Sequence, residues 1–115
     1  MQELKKKVKQ FIRDRDWEQY HAPKNLAMAL SVEVTEILEI FQWKETGENL
    51  SSREKTALEE EIGDVFIYLL ELADKFQIDP VEAAHKKLVI NQQKYPADQV
   101  RGKAEKYTEY HQDQG

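Results

Sequence analysis

Two long segments of this chain carry apolar residues at helical spacing with pairs of acids set among them. Glu33 and Glu36 lie in SVEVTEILEIF, and Glu61 and Asp64 lie in EEEIGDVFIYLLEL. Residues three apart share one face of a helix. A helical projection places Glu33 inside the apolar arc of its segment, Glu36 at the edge of that arc, and Glu61 with Asp64 along one edge of the second arc. A fold for this chain must therefore accommodate all these acids beside a helical core.

The projection also predicts which side chains form that core. The arc of the first segment contains Leu26, Leu30, Val34, Ile37, Ile40 and Phe41, and the arc of the second contains Leu58, Ile62, Val65, Leu69, Leu72 and Phe76. Ile67 and Leu70 lie off the second arc, where a solvated face is not expected to carry both. Their position favours a second buried face that forms an oligomer interface, or coverage by the C-terminal tail.

The composition fits one small globular domain in a reducing compartment. The chain has 115 residues, of which 40% are apolar and 34% are charged, enough for a modest core. It has no cysteine, which excludes disulfides and cysteine-based zinc sites and fits a cytoplasmic location. We expect neither a signal peptide nor a membrane span, because no long apolar run is present. The net charge of −5 argues against general binding of duplex nucleic acid.

Capping residues and prolines predict four helices. Ser51 and Glu54 form a capping box, Pro23 suits a first turn, and Asp79 is a cap before Pro80. The predicted helices run over Gln2–Asp14, Pro23–Gln42, Ser51–Phe76 and Asp79–Lys94. We therefore predict an all-α, four-helix bundle-like domain over residues 1–96. Residues 97–115 are predicted to be a C-terminal tail that packs on the domain or on a neighbouring subunit, and its segment RGKAEKYTEYHQDQG, residues 101–115, is predicted to be extended or frayed.

The residues alone leave three interpretations of the acids open. In the first, they form ion pairs with lysines and arginines of neighbouring helices. In the second, the bundle holds a di-iron or di-manganese centre, although that design needs Glu-x-x-His on two helices and, within the predicted helices, only Glu82 and His85 have the spacing. In the third, the all-oxygen set binds Mg²⁺ or Mn²⁺, which commonly shares its shell with substrate phosphates. A P-loop is excluded, since GxxxxGK[ST] is absent.

The order E-x-x-E, a loop, then E-x-x-D resembles the all-α nucleoside triphosphate pyrophosphohydrolases of MazG type. The segments RDWEQYHAPKNLAMAL, EIFQW, EEEIGDVFIYLLELA, NQQKYP and RGKAEKYTEY are similar to the dCTP pyrophosphatase branch in order and spacing. This resemblance covers most of the chain. It implies Mg²⁺-dependent hydrolysis of a (deoxy)nucleoside triphosphate to the monophosphate and diphosphate. It also implies a preference for dCTP or a modified dCTP, and a role in nucleotide pool sanitation.

The resemblance further implies roles for individual residues. The residues that would bind the metal and carry catalysis are Glu33, Glu36, Glu61 and Asp64. Those that would bind substrate are Trp17, His21 and Trp43 around the base, and Tyr68, Lys87 and Asn91 at the sugar and phosphates. The resemblance also implies a homotetramer of tight dimers whose pockets are shared between subunits.

Simpler explanations of several of these residues stay open at this stage. Trp17 and Trp43 are also explained as core aromatics, and Lys87 as a surface lysine. The basic cluster from Arg101 to Lys106 either closes over a triphosphate or belongs to a solvated tail. The alternative to an enzyme is a non-catalytic helical oligomer that binds a nucleotide or a protein partner through a metal-stabilised site.

Overall fold

The structure is a computed structural model that describes residues 1–101, and these residues are predominantly helical. The helices are α1 (Gln2–Asp14), α2 (Pro23–Phe41), α3 (Ser52–Lys75), α4 (Pro80–Lys94) and α5 (Ala97–Val100), with a 3-10 turn at Glu18–Tyr20. Residues 1–101 contain no strand, so the predicted all-α class is confirmed. None of their helices has the length and apolar character needed to cross a membrane.

The predicted C-terminal tail begins with a short helix, α5, over residues 97–100. Pro96 is its N-cap, with φ −59, and a proline pre-sets the backbone for a helical turn. The extended or frayed conformation predicted from Arg101 onward concerns residues that lie almost entirely outside those described. The predicted contributions of Lys103 and Lys106 lie outside the described residues.

Side-chain caps fix where α3 and α4 begin. The Ser51 hydroxyl accepts a hydrogen bond from the Glu54 N–H at 3.2 Å, and the Glu54 carboxylate accepts one from the Ser51 N–H at 2.8 Å. Asp79 accepts hydrogen bonds from the N–H groups of Val81 at 2.9 Å and Glu82 at 3.2 Å. These contacts satisfy N–H groups that have no partner within the helix, and both predicted caps are confirmed.

The loop between α2 and α3 is tied to the capping box by one lysine. Lys44 Nζ lies 3.0 Å from Glu48 Oε2 and 2.9 Å from Glu54 Oε2. Gly47 turns the loop with φ +86, a conformation that residues with a Cβ rarely adopt. The same Glu54 carboxylate thus caps α3 and holds the loop that leads into it.

The chain divides into two compact units. The first is Met1–Gln77 and contains α1, α2 and α3, and the second begins at Ile78 and contains α4 and α5. In the first unit, α3 packs along α2 and also contacts α1. The division predicted between residues 96 and 97 stays a prediction.

The buried residues of the first unit are aliphatic and come from all three of its helices: Val8, Ile12, Leu26 and Leu70. Leu70 is only 2% exposed although the projection placed it off the main arc, whereas Ile62, on that arc, is 53% exposed. The cause is that α3 has two neighbours, so its buried face is set by α1 as well as by α2. The predicted arc was therefore wrong for part of α3.

Apolar side chains at i, i+4 and i+7 stay exposed on both long helices of this unit. They are Val34, Leu38 and Phe41 on α2 and Ile62, Phe66 and Leu69 on α3. Side chains at this spacing form one stripe along a helix. Each helix therefore presents an exposed apolar stripe.

Candidate active site

Three acids from two helices meet in the first unit. Glu33 of α2 and Glu61 and Asp64 of α3 each offer a carboxylate oxygen, and these oxygens lie within 4.8 Å of one another. The spacing of three puts Glu61 and Asp64 on one face of α3, and the packing of α2 along α3 brings Glu33 to them. Glu33 and Glu61 are half-buried and Asp64 is exposed, so the cluster opens to solvent beside Asp64.

The fourth predicted acid lies next to this group. Glu36 is outside the set of three, but its carboxyl group hydrogen-bonds to that of Glu61 and interacts with that of Glu33. The structure therefore gathers all four predicted acids, with Glu36 beside Glu61.

The crowding of these acids changes how tightly they hold protons. The pKa of Glu61 is raised to about 7, first by the hydrogen bond with Glu36, then by burial and by a hydrogen bond with Glu33. The pKa of Glu33 is raised above its ordinary value, first by burial, with the charges of Glu36 and Asp64 adding to the effect. The Oε2 atoms of Glu33 and Glu61 are shielded from solvent and have no hydrogen-bond partner.

Ion pairing does not account for this cluster. The ion pairs within residues 1–101 join lysine and arginine side chains to other acids, chiefly Asp74, Glu48 and Glu54. The trio itself is made of carboxylates without a histidine. Crowded carboxylates with orphaned oxygens are stable when a cation neutralises them, and oxygen-only donors suit a hard divalent cation. The residues present therefore fit a Mg²⁺-type ion.

A pocket of about 360 Å³ lies between α1 and α3 and reaches the acid cluster at Asp64. One wall is the face of α3 that carries Asp64, Tyr68 and Glu71, at spacings of four and three. The other wall is α1, and the turn that follows it contributes the remainder. The lining is mostly apolar and includes Val8, Phe11, Ile12, Trp17 and Ile67. Pockets of this size and character accommodate small organic ligands.

The turn after α1 presents two of the predicted substrate residues to the pocket. Trp17 follows Asp16, which has φ 53, and its N–H donates to the Ile12 carbonyl at 3.1 Å. The Trp17 ring meets the Phe11 ring edge-to-face, with 5.8 Å between centroids. The indole remains exposed, so Trp17 is a pocket residue and not a core aromatic.

The polar groups at the end of the pocket away from Asp64 are a histidine and an acid. His21 Nδ1 lies 3.8 Å from Glu71 Oε2, and the two side chains are 18% and 12% exposed. His21 Nδ1 is shielded from solvent and has no hydrogen-bond partner. Glu71 was not predicted. The available signal was a charged residue that interrupts LLELA three residues after Tyr68 and seven after Asp64.

Of the other predicted substrate residues, Trp43 is the one in the first unit, and it lies outside this pocket. Trp43 is 89% exposed and borders a separate recess with Glu39 and Lys44. Lys87 is exposed and Asn91 is half-buried, and both lie on α4 in the second unit. Substrate roles for these residues stay predictions.

Comparison with known proteins finds relatives over most of the chain. The MazG-like family matches residues 28–110. The dCTP pyrophosphatase 1 of Homo sapiens is 43% identical over 113 residues, which cover 95% of this chain and 66% of that protein. The dCTP pyrophosphatase 1 of Bos taurus is 42% identical over 113 residues, which cover 95% and 67%. The present chain therefore spans about two thirds of the length of these relatives.

A solved structure shares the fold. The crystal structure of a pyrophosphatase from Archaeoglobus fulgidus matches with a TM-score of 0.74 and 46% identity. The match covers 84% of this chain and 92% of the archaeal chain.

Proposed function

Because the chain belongs to the MazG-like family, we propose that it is a nucleoside triphosphate pyrophosphohydrolase, which converts a (deoxy)nucleoside triphosphate and water to the monophosphate and diphosphate. The observation that carries this proposal is the meeting of Glu33, Glu61 and Asp64 within 4.8 Å at the mouth of an aromatic pocket. A polyphosphate approaches such acids only through a cation, and the pocket next to them offers apolar surface for a base.

We propose Mg²⁺ as the metal, with Mn²⁺ as a substitute, because hard cations prefer oxygen ligands. Glu33, Glu61 and Asp64 would hold the ion, and Glu36 would complete or orient the set through its hydrogen bond to Glu61. When bound, the ion neutralises the phosphate oxygens and helps to activate a water. The chain's own contribution is to hold these carboxylates at one place and to accept a proton, for which the Glu36–Glu61 pair is suited.

The proposed substrate is dCTP or a modified dCTP, and the proposed role is sanitation of the nucleotide pool. The names of the mammalian relatives support this choice. Trp17 and His21 are proposed to surround the base and Tyr68 to contact the sugar, since all three line the pocket beside Asp64. Lys87 and Asn91 are proposed as phosphate contacts. The cytoplasm stays the predicted compartment.

We propose that the active form is a homo-oligomer, a tetramer built from dimers. The exposed stripes on α2 and α3 give each copy a self-complementary apolar surface. Trp43, which the single chain leaves almost wholly exposed, is proposed to complete the pocket of a second copy.

Product analysis tests the proposed reaction. The protein is incubated with dCTP, dUTP, dTTP, dATP and dGTP in Mg²⁺, in Mn²⁺ and in EDTA, and the products are separated by anion exchange. Appearance of the monophosphate and diphosphate only with metal is the expected result. No turnover of any of these nucleotides contradicts the enzyme and leaves the non-catalytic oligomer. Release of a nucleoside diphosphate with phosphate contradicts the proposed reaction class.

A further inference from the structure

Glu71 lines the pocket but has no role in the proposed hydrolysis. It lies seven residues after Asp64 on the pocket-facing side of α3, which is roughly 10 Å along the helix at 1.5 Å per residue. The metal-binding acids are at the Asp64 end of the pocket. A nucleotide whose phosphates lie at that end therefore places its base toward Glu71.

Glu71 is an available hydrogen-bond acceptor at the border of the apolar pocket. On its other side it lines a recess shared with Lys9, Arg13 and Lys75, yet within residues 1–101 its ion-pair contact is with His21. Its side chain is 12% exposed, and its contact with His21 Nδ1 at 3.8 Å is longer than a hydrogen bond. Phe11, Ile12 and Trp17 supply the apolar walls. A carboxylate in such a setting is stabilised by a ligand that donates a hydrogen bond to it, because a buried acceptor left without a donor is costly.

Glu71 and His21 together present an acceptor beside a donor. An ionised carboxylate only accepts hydrogen bonds, whereas an imidazole N–H donates. Cytosine carries an amino donor next to a ring acceptor on its pairing edge, while thymine carries the O4 acceptor at the position of that amino group. Uracil resembles thymine there, so it would set its carbonyl oxygen against the Glu71 carboxylate.

We propose that Glu71 is a specificity-determining residue that selects 4-amino pyrimidine nucleotides over 4-oxo pyrimidine nucleotides by accepting a hydrogen bond from the amino group. His21 donates to the adjacent ring nitrogen. This inference rests on the proposed function, since it requires a nucleotide in this pocket. Sites that hydrogen-bond a substrate group reject analogues without it strongly, because the protein group is then left unpaired.

The test compares dCTP with dUTP, which differ in this one group. We measure kcat/KM for both nucleotides with the wild type, Glu71→Gln and Glu71→Ala. The wild type is expected to prefer dCTP by at least about tenfold, the effect of losing one charge-assisted hydrogen bond. In Glu71→Gln the amide can also donate to O4, so the dCTP to dUTP ratio is expected to fall by about fivefold or more. Glu59→Gln, on an exposed position of the same helix, is the matched control and is expected to keep the ratio.

Equilibrium binding separates failure of this inference from failure of the proposed function. Calorimetric titration with dCMP and dUMP is carried out on the same variants, and the same loss of discrimination is expected. A wild type that hydrolyses nucleotides but does not distinguish dCTP from dUTP overturns the role of Glu71. A change of less than about fivefold in the dCTP to dUTP ratio of both Glu71 variants also overturns the role of Glu71. If Glu71 only holds α1 against α3, affinity for both nucleotides falls equally and the ratio is unchanged. If nothing is hydrolysed, the proposed function fails, and the binding titrations alone decide whether Glu71 selects the amino base.

Discussion

The carboxyl group of Glu36 on α2 hydrogen-bonds to that of Glu61 on α3, and this contact is the first cause of a Glu61 pKa of about 7. The two acids come from different helices and share a proton. The ion pairs within residues 1–101 bring no basic side chain to either of them. A divalent cation relieves the same repulsion without a proton. Metal binding and protonation should therefore compete at this site.

The first prediction concerns the stability of the metal-free protein. The pKa of Glu61 is about 7 in the folded protein and 4.5 for an ordinary glutamate, so the folded state holds its proton more tightly. Glu33 is shifted in the same direction. The stabilisation is present below about pH 4.5 and is lost as the pH rises through about 7. In EDTA, the free energy of unfolding, measured with urea, should thus fall between about pH 5 and about pH 7.5.

The control for that experiment is Glu61→Gln, which cannot titrate. Its unfolding free energy should depend less on pH over this window than that of the wild type. Glu54 and Asp74 do not interfere, because their pKa values are lowered and they titrate at more acidic pH. Saturating Mg²⁺ should flatten the wild-type profile, since the ion favours the ionised acids. Parallel profiles of wild type and variant in EDTA would remove Glu61 as the cause.

The second prediction concerns catalysis by the acid cluster. Glu61→Gln should lower kcat for dCTP by about 100-fold or more. A loss of this size exceeds the roughly 10–100-fold effect typical of residues that only hydrogen-bond to metal ligands. Diphosphate release gives kcat, and far-UV circular dichroism checks that the helices are retained. Glu59→Gln on the same helix should keep wild-type activity. Near-normal turnover in a folded Glu61→Gln protein excludes this residue from the site.

The third prediction concerns the start of α3. Ser51→Ala removes the hydroxyl that accepts from the Glu54 N–H at 3.2 Å and should cost about 1 kcal/mol of unfolding free energy. Ser52→Ala changes the neighbouring serine, outside the capping box, and should cost less than about 0.5 kcal/mol. Urea denaturation at one protein concentration compares them. Equal effects of the two substitutions would show that the capping box does not stabilise this helix.

The fourth prediction concerns Trp43 and the shared pocket. If a second copy supplies Trp43, Trp43→Ala should lose about tenfold in activity or more through lost base stacking. Mixing Trp43→Ala with Glu61→Gln, after dissociation and reassembly, should then restore activity. About a quarter of the wild-type value is expected for random pairing, because half of the dimers are mixed and one of their two pockets is intact. Mixed oligomers no more active than the Trp43→Ala parent would place Trp43 in its own subunit's pocket or outside any pocket.

Local rules were sufficient to predict the helices and the meeting of the acids. The boundaries at Asp14, Pro23 and Lys94 follow from capping residues and prolines, whose effects extend over only a few neighbours. Glu61 and Asp64 lie on one face because of the helical repeat, and the pairing of two adjacent helices brings Glu33 to them.

The far end of the pocket could not be predicted in the same way. His21 and Glu71 are fifty positions apart in the sequence, and the packing of the first two helices against the third brings their side chains to 3.8 Å. Leu70 was expected on a second buried face and is buried, but its neighbour was not predicted, because a helical projection gives the direction of a side chain and not the neighbour it meets. The surroundings of Trp43 could not be predicted either, because its side chain is almost wholly exposed to solvent.

The wall that α1 contributes to the pocket has a consequence for how the proposed activity can diversify among relatives. Val8 and Ile12 are buried against the rest of the unit, and Lys5 and Lys9 reach Asp74 of α3 at 3.4 and 3.1 Å. The acids, by contrast, are carried by α2 and α3. The proposed base-selecting residue Glu71 lies on α3 together with Glu61 and Asp64, whereas α1 supplies the opposite, mostly apolar wall. Exchange of the N-terminal helix and its turn between relatives should therefore change how tightly a base fits the pocket, and should not transfer a preference that depends on Glu71.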